Sequence, residues 1–174
     1  MKNYFKIFNL PISFQLDKKK LTKNFYDLQK KYHPDFCNDE NQIKKSNLMN
    51  KSIKINHAYK ILIDPIKRAE YYIRINYLNF EKEKKNIPFD INFLKKHMKL
   101  CEELEYIKKS SKKNEKTIRF FLKKIDDLIF SYLHKIEKKF INKEWIIAVI
   151  ILNKLFFLKK IKHSAIQEIS NFNK

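Results

Sequence analysis

The chain is 174 residues long, contains no glycine, and carries 39 Lys and Arg against 19 Asp and Glu, a net charge of +20. Without glycine it cannot build a Walker phosphate loop, a Rossmann Gly-x-Gly-x-x-Gly turn or a Gly-x-Ser-x-Gly nucleophile elbow, because each needs backbone conformations that only glycine reaches cheaply. The two-residue hairpin turn loses its preferred residue, which argues against a sheet-rich fold, and a hydrophobic content of 44% excludes wholesale disorder.

The elements predicted in chain order are all helical. A short first helix holds Tyr4, Phe5 and Phe8 and ends at Asn9-Leu10-Pro11. A second begins near Asp17, a good N-cap, and its apolar residues Leu21, Phe25, Leu28 and Tyr32 fall on one narrow stripe at 100° per residue. Lys19, Lys23 and Lys30 share the opposite face, within ~40° of one another. Pro34 stops this helix, because a residue preceding proline is driven out of the helical region. A polar loop, Pro34 to Asn41, leads to a third helix from about Ile43 to Ile63, with Leu48, Ile55, Tyr59 and Leu62 on one face. Asp64-Pro65 ends it and opens a fourth helix to about Ile75, with proline in the tolerated first turn.

Residues 76–89, with Asn76, Asn79 and Pro88, read as a linker between domains. Asp90 caps a helix from Ile91 to Lys109, and a polar break at Ser110 to Asn114 follows. A long helix then runs from Glu115 to about Phe140, and Asn142 is expected to cap the last, 143–172. Three helices with short connections form a small antiparallel bundle. With glycine absent, asparagines such as Asn9, Asn76 and Asn142 are the expected residues for helix ends. The organisation is therefore all-α, with a helical-hairpin domain over residues 1–75, a junction over 76–89 and a three-helix bundle over 90–174.

Charge and targeting signals narrow the function. All the basic residues except Arg68, Arg74 and Arg119 are lysine, whereas base and phosphate recognition draws on the bidentate arginine fork. Much of the +20 thus reads as solvated surface, and no specific nucleic-acid partner is expected. The most apolar stretch, Trp145 to Leu158, is broken by Asn153 and Lys154 and falls short of the ~20 residues of a membrane span. With no secretory h-region at the amino terminus and no Cys-x-x-Cys, the expectation is a cytoplasmic chain in a reducing compartment. Cys37, Cys101, His57, His97, His134 and His163 form no metal-ligand spacing, so neither a metal nor a cofactor is expected. His97 and Cys101 read as structural residues near a core stripe.

His33-Pro34-Asp35 is the sharpest motif. By itself it is only a helix stop followed by a turn. At the tip of two antiparallel helices, beside a basic face, it resembles a J domain. The likeness extends along the chain, through Tyr4 to Pro11, Asp27 to Asp35, Ile55-Asn56-His57-Ala58-Tyr59, Pro65 to Tyr71, Phe93-Leu94, Leu100 to Leu104, and Trp145 with Leu155 to Leu158. Together these segments resemble the HscB family, the J-type co-chaperones of iron–sulfur cluster assembly. No amino-terminal cysteine pair is present, which favours the bacterial form.

The resemblance implies a two-ended adaptor rather than an enzyme. The J domain would stimulate ATP hydrolysis by a DnaK-type chaperone, HscA, through His33, Pro34 and Asp35 with Lys19, Lys23, Lys30 and Lys31. The bundle would hold the scaffold protein IscU through Leu94, Met98, Glu102 and Phe157. Pattern alone supports a second apolar face on the helix from Ile91: Leu94 and Met98 lie ~100–140° from Phe93, beside Glu102 and Glu105, as a patch rimmed by acids that either meets a partner or packs against another helix or the J domain. Lys95, Lys99 and Tyr106 depart from the family's apolar or acidic contact positions. Two other readings stand beside this one: a J protein with another client, and a basic helical protein that binds nucleic acid without sequence preference.

Overall fold

A computed structural model describes residues 3–32, 42–86, 90–110 and 115–172. The described residues form eight helices and no strand: α1 (Tyr4–Ile7), α2 (Lys18–Tyr32), α3 (Gln42–Ile63), α4 (Pro65–Asn76), α5 (Phe80–Asn86), α6 (Ile91–Lys109), α7 (Glu115–Ile141) and α8 (Trp145–Phe172). The chain divides into two compact units between Tyr72 and Ile73.

In the first unit, aspartates start the helices. Asp17 Oδ1 accepts from the Lys20 amide at 3.0 Å, and Asp64 Oδ1 accepts from the Ile66 amide at 2.9 Å and the Lys67 amide at 3.1 Å. Each bond satisfies an amide that has no partner within its helix. The core contains Phe5, Phe8, Leu21, Ala58 and Leu62, all fully buried; a buried Phe or Leu contributes about 1.5–3 kcal/mol. Phe25 and Tyr59 stack at 4.0 Å between centroids and hold α2 against α3. The same pair of helices is tied by Thr22 to Tyr59 (3.2 Å) and by Gln29 Nε2 to Asn56 Oδ1 (3.2 Å). Tyr71 is buried, stacks on Tyr4 at 4.5 Å and accepts from the Tyr4 amide at 3.0 Å. Burial pushes its phenol up from the ordinary value.

Among the described residues of this unit, Arg68 is the buried charge. Its Nε donates to the Phe14 carbonyl at 2.9 Å and its Nη1 to the Leu62 carbonyl at 2.5 Å, and the guanidinium lies over the Phe14 ring. It thereby fastens the segment between α1 and α2 to the end of α3. Desolvation lowers its pKa, and nearby Asp64 partly opposes that shift.

In the second unit α8 is the central element: α5, α6 and α7 all pack on it. Its buried residues include Ala148, Leu152, Leu155, Leu158 and Ala165, facing Ile118, Phe121, Ile125 and Ile136 of α7 and Leu104 of α6 in the same core. Within residues 76–89, read above as a junction, Phe80 is buried and anchors α5. The Asn79 carbonyl accepts the first α5 bond, from the Glu83 amide.

Two turns do the work of glycine. After α1, Asn9 takes φ 50°, its amide bonds the Lys6 carbonyl and the Leu10 amide bonds the Phe5 carbonyl. After α7, Lys143 takes φ 55°, its amide bonds the Phe140 carbonyl and the Glu144 amide bonds the Lys139 carbonyl. Both are Schellman closures, in which a left-handed residue lets two amides satisfy the last carbonyls. The second corrects an expectation. Asn142 does not cap α8, which starts at Trp145 with the Glu144 carbonyl accepting from Ala148. Asn142 instead donates to the Glu144 carboxylate at 3.0 Å.

Candidate functional site

The first unit presents a basic face. Lys19, Lys23, Lys30 and Lys31 are all exposed, and the first three share one side of α2. Sequence reasoning missed Tyr26, which is 59% exposed and lies on that side too, within ~60° of the three lysines. Its spacing of seven residues from Lys19 was the available signal. Near the end of α2, Lys31 and Lys51 both place Nζ over the Tyr32 ring, at 5.5 and 5.2 Å, which pins the last turn of α2 to α3. His33, Pro34 and Asp35 lie outside the described residues.

The second unit brings two of its four predicted contact residues together. Leu94 and Phe157 line one pocket of about 320 Å³, with Phe93, Ile150 and Phe156. The Phe157 ring sits 6.0 Å from Phe93 and 5.1 Å from His97. Met98, 53% exposed, and exposed Glu102 continue the strip from Leu94 at one-turn intervals along α6, outside the pocket. Lys95, Lys99 and Tyr106 are exposed on the same helix.

The acidic rim expected around this patch is not what surrounds the pocket. Its charged lining is Lys84, Lys85, Lys154 and Lys160, with Asp90 as the one carboxylate. Asp90 is already engaged: its Oδ1 caps α6 by accepting from the Phe93 amide, and its Oδ2 accepts from Lys154 Nζ at 2.5 Å. The Lys154 bond, with that amide bond second, holds the Asp90 carboxyl below the ordinary range. The acids lie further along α6, where Glu105 pairs with Lys108 at 2.8 Å. The patch therefore runs from basic at the start of α6 to acidic near Glu102. Wheel angles for α6 alone cannot show this, because Lys84, Lys85, Lys154 and Lys160 come from α5 and α8. A signal existed in α8: Ile150, Asn153, Lys154, Phe157 and Lys160 recur at helical spacing on one side.

His97 and Cys101 are half-buried neighbours, with Sγ 3.9 Å from Nδ1. Burial, and then the Lys160 charge, lower the imidazole pKa; burial, and then Glu105 and Glu102, raise the thiol. No group of three or more metal-ligating side chains occurs among the described residues. No helix among them is long and apolar enough to cross a membrane.

An antiparallel helical pair with a basic outer face, closed by short helices at either end, is the architecture of a J domain, and the DnaJ domain family model matches residues 3–72. The chain is thus a J-domain protein. Its likeness to known proteins covers both units. It is 35% identical to the co-chaperone protein HscB of Buchnera aphidicola subsp. Acyrthosiphon pisum (strain Tuc7) over 161 residues, 92% of this chain and 91% of that one. The structure of chaperone HscB from Vibrio cholerae superposes with a TM-score of 0.80 at 30% identity, covering 98% of this chain and 99% of that one. Human co-chaperone protein HscB gives 0.81 at 22% identity, over 96% of this chain and 82% of that one, a likeness of fold. The chain belongs to the HscB family of co-chaperones.

Proposed function

We propose that this co-chaperone works in iron–sulfur cluster assembly, stimulating the ATPase of the DnaK-type chaperone HscA and delivering the scaffold IscU to it in the cytoplasm. The observation that carries the reading is similarity to an HscB co-chaperone over 92% of the chain, across both units. The strip of Lys19, Lys23 and Lys30 steers the J unit toward an acidic chaperone surface and raises the on-rate. Lys31 adds charge where α2 leads into the motif. Asp35 accepts a bidentate arginine from the chaperone, Pro34 lowers the entropy cost of docking through its fixed φ, and His33 holds the motif in place or donates a hydrogen bond. ATP hydrolysis belongs to the chaperone, and no residue of this chain takes part in bond making. Leu94, Met98 and Phe157 supply apolar contact to IscU, with Glu102 at the polar edge.

The test is single-turnover ATP hydrolysis by HscA with and without this chain and IscU. Stimulation is expected, greater with IscU present, and His33→Gln or Asp35→Asn removes it while helicity is unchanged. No stimulation at saturating protein refutes the proposal. Lys95, Lys99 and Tyr106, exposed on α6 where the family's contact positions are apolar or acidic, favour one second reading, a J protein whose bundle takes another client. Leu94→Ala with Met98→Ala separates the two: IscU binding weakens by more than about 1 kcal/mol under the first reading and is unchanged under the second.

A further inference from the structure

The pocket between α5, α6 and α8 combines an apolar floor with a cationic rim. Phe93, Leu94, Ile150 and Phe157 form the floor, and Lys84, Lys85, Lys154 and Lys160 stand around it. Two of these lysines are seated on aromatic faces: Lys154 Nζ lies 5.3 Å from the Phe93 centroid, and Lys84 Nζ lies 5.4 Å from those of Phe80 and Phe156. Seated lysines lose less side-chain entropy when they bind, because the aromatic contact already restricts their rotamers. The single carboxylate of the lining, Asp90, is bonded to Lys154 and to its own helix. An ammonium offers three donors, so Lys154 keeps donor capacity beyond its bond to Asp90, while Lys85 and Lys160 are exposed. At about 320 Å³ the cavity is at the small end of the ~300–1,000 Å³ of ligand sites. It suits one or two side chains of a partner.

We propose that this pocket receives an acidic segment of the client scaffold, an apolar side chain entering over Phe93, Leu94 and Phe157 while an adjacent carboxylate is taken by Lys85 and Lys160. The occupant is chosen by charge complementarity, since lysines around an apolar floor repel a basic segment and offer charge-assisted bonds to the carboxylate of an acidic one. The inference rests on the reading of the second unit as the scaffold-binding unit and adds the sign of charge its partner must carry. It predicts that the scaffold bound by this chain has a carboxylate beside an apolar anchor.

The test is isothermal titration of the full chain with IscU of the same organism at two salt concentrations. Three proteins are compared: the natural chain, Lys85→Met with Lys160→Met, and Leu94→Ala. Methionine keeps the apolar stem of each exposed lysine and removes the charge, so the fold is preserved and circular dichroism verifies it. The double variant is expected to bind about tenfold more weakly and to lose most of the salt dependence. Unchanged affinity in the double variant, with Leu94→Ala weakened, overturns the acidic-segment inference and leaves the scaffold reading standing. No IscU binding by the natural chain, or no loss in either variant, overturns both. Concentration-dependent self-association of the free chain that the double variant abolishes assigns the pocket to a second copy and likewise overturns the inference.

Discussion

Lys143→Gly should stabilise the second unit. A side-chain-bearing residue in the left-handed region pays roughly 1–2 kcal/mol, since its Cβ crowds the carbonyl oxygen. Lys143 is there, at φ 55°, because the Schellman closure of α7 requires it. Glycine removes that crowding but frees the unfolded chain, which gives back roughly 0.5–1 kcal/mol. The exposed Lys143 side chain makes no packing contribution that would be missed. The net gain is about 0.5–1 kcal/mol, or about 2–8 °C in the midpoint for a unit of this size. Trp145, the chain's one tryptophan, makes the assay specific to this unit: it stacks on Tyr77 and tilts against Phe140, two residues beyond the substituted position. Its fluorescence during thermal unfolding therefore reports the second unit alone. Lys143→Ala is the control, because alanine keeps the Cβ. A midpoint that falls or stays put in Lys143→Gly refutes the argument, and so does an equal rise in Lys143→Ala, which would assign the effect to charge. Asn9→Gly should gain less, since asparagine tolerates the left-handed region better than lysine.

Arg68→Met should cost the first unit about 2–4 kcal/mol in urea unfolding, because the Phe14 and Leu62 carbonyls lose their donor; a loss under about 1 kcal/mol contradicts the assigned role. His97 has a folded pKa below its ordinary value of about 6.5. Its contribution is therefore fully present above that pH and is lost as pH falls toward the folded pKa, so the Trp145 urea midpoint should drop between pH 7.5 and 5.5, and less so in His97→Gln. The carboxyls of Asp90, Glu105 and Glu144 are held low, first by their bonds to Lys154, Lys108 and Lys139 respectively. Stability from them is present above the ordinary carboxylate range and is lost on acidification through the folded values, and Asp90→Asn should flatten that acid limb. Reversing Lys19, Lys23 and Lys30 to glutamate should suppress chaperone ATPase stimulation at low salt with unchanged helicity, and Tyr26→Ala should reduce it at all salt concentrations.

Helix positions were legible wherever chemistry punctuates the chain. Asp17, Asp64-Pro65 and Asp90 each open a helix with a side-chain cap, and α6 runs over the span its spacing predicts, Ile91–Lys109. The core stripe of α6 was legible only in part: of Phe93, Leu100, Leu104 and Ile107, which helical spacing puts on one face, the last three are buried, whereas Phe93 is half-buried and lines the pocket. The α7–α8 turn was not, because two closures compete there, and the one chosen places strain on Lys143 so that the Glu144 amide can reach Lys139. Helix α5 was hidden by its lysines and glutamates; one buried phenylalanine is too little periodicity to read. The contact residues Leu94 and Phe157 came from family likeness, and their neighbours were missed because a pocket is made of helices far apart in sequence. No wheel drawn for one helix contains Lys84 and Lys160 together.

The central place of α8 has a consequence for synthesis. Helices α5, α6 and α7 are translated before the helix on which all of them pack. While residues 73–144 are emerging, Phe80, Leu104, Ile118, Phe121 and Ile125 lack the α8 surface of the finished unit, since Leu152, Leu155, Leu158 and Ala165 come later. The first unit completes its buried set by Tyr71 and has its partners in hand from that point, as amino-terminal units do during translation. A ribosome stalled within α8 would thus display a finished J unit followed by an apolar segment still waiting for the helix that covers it.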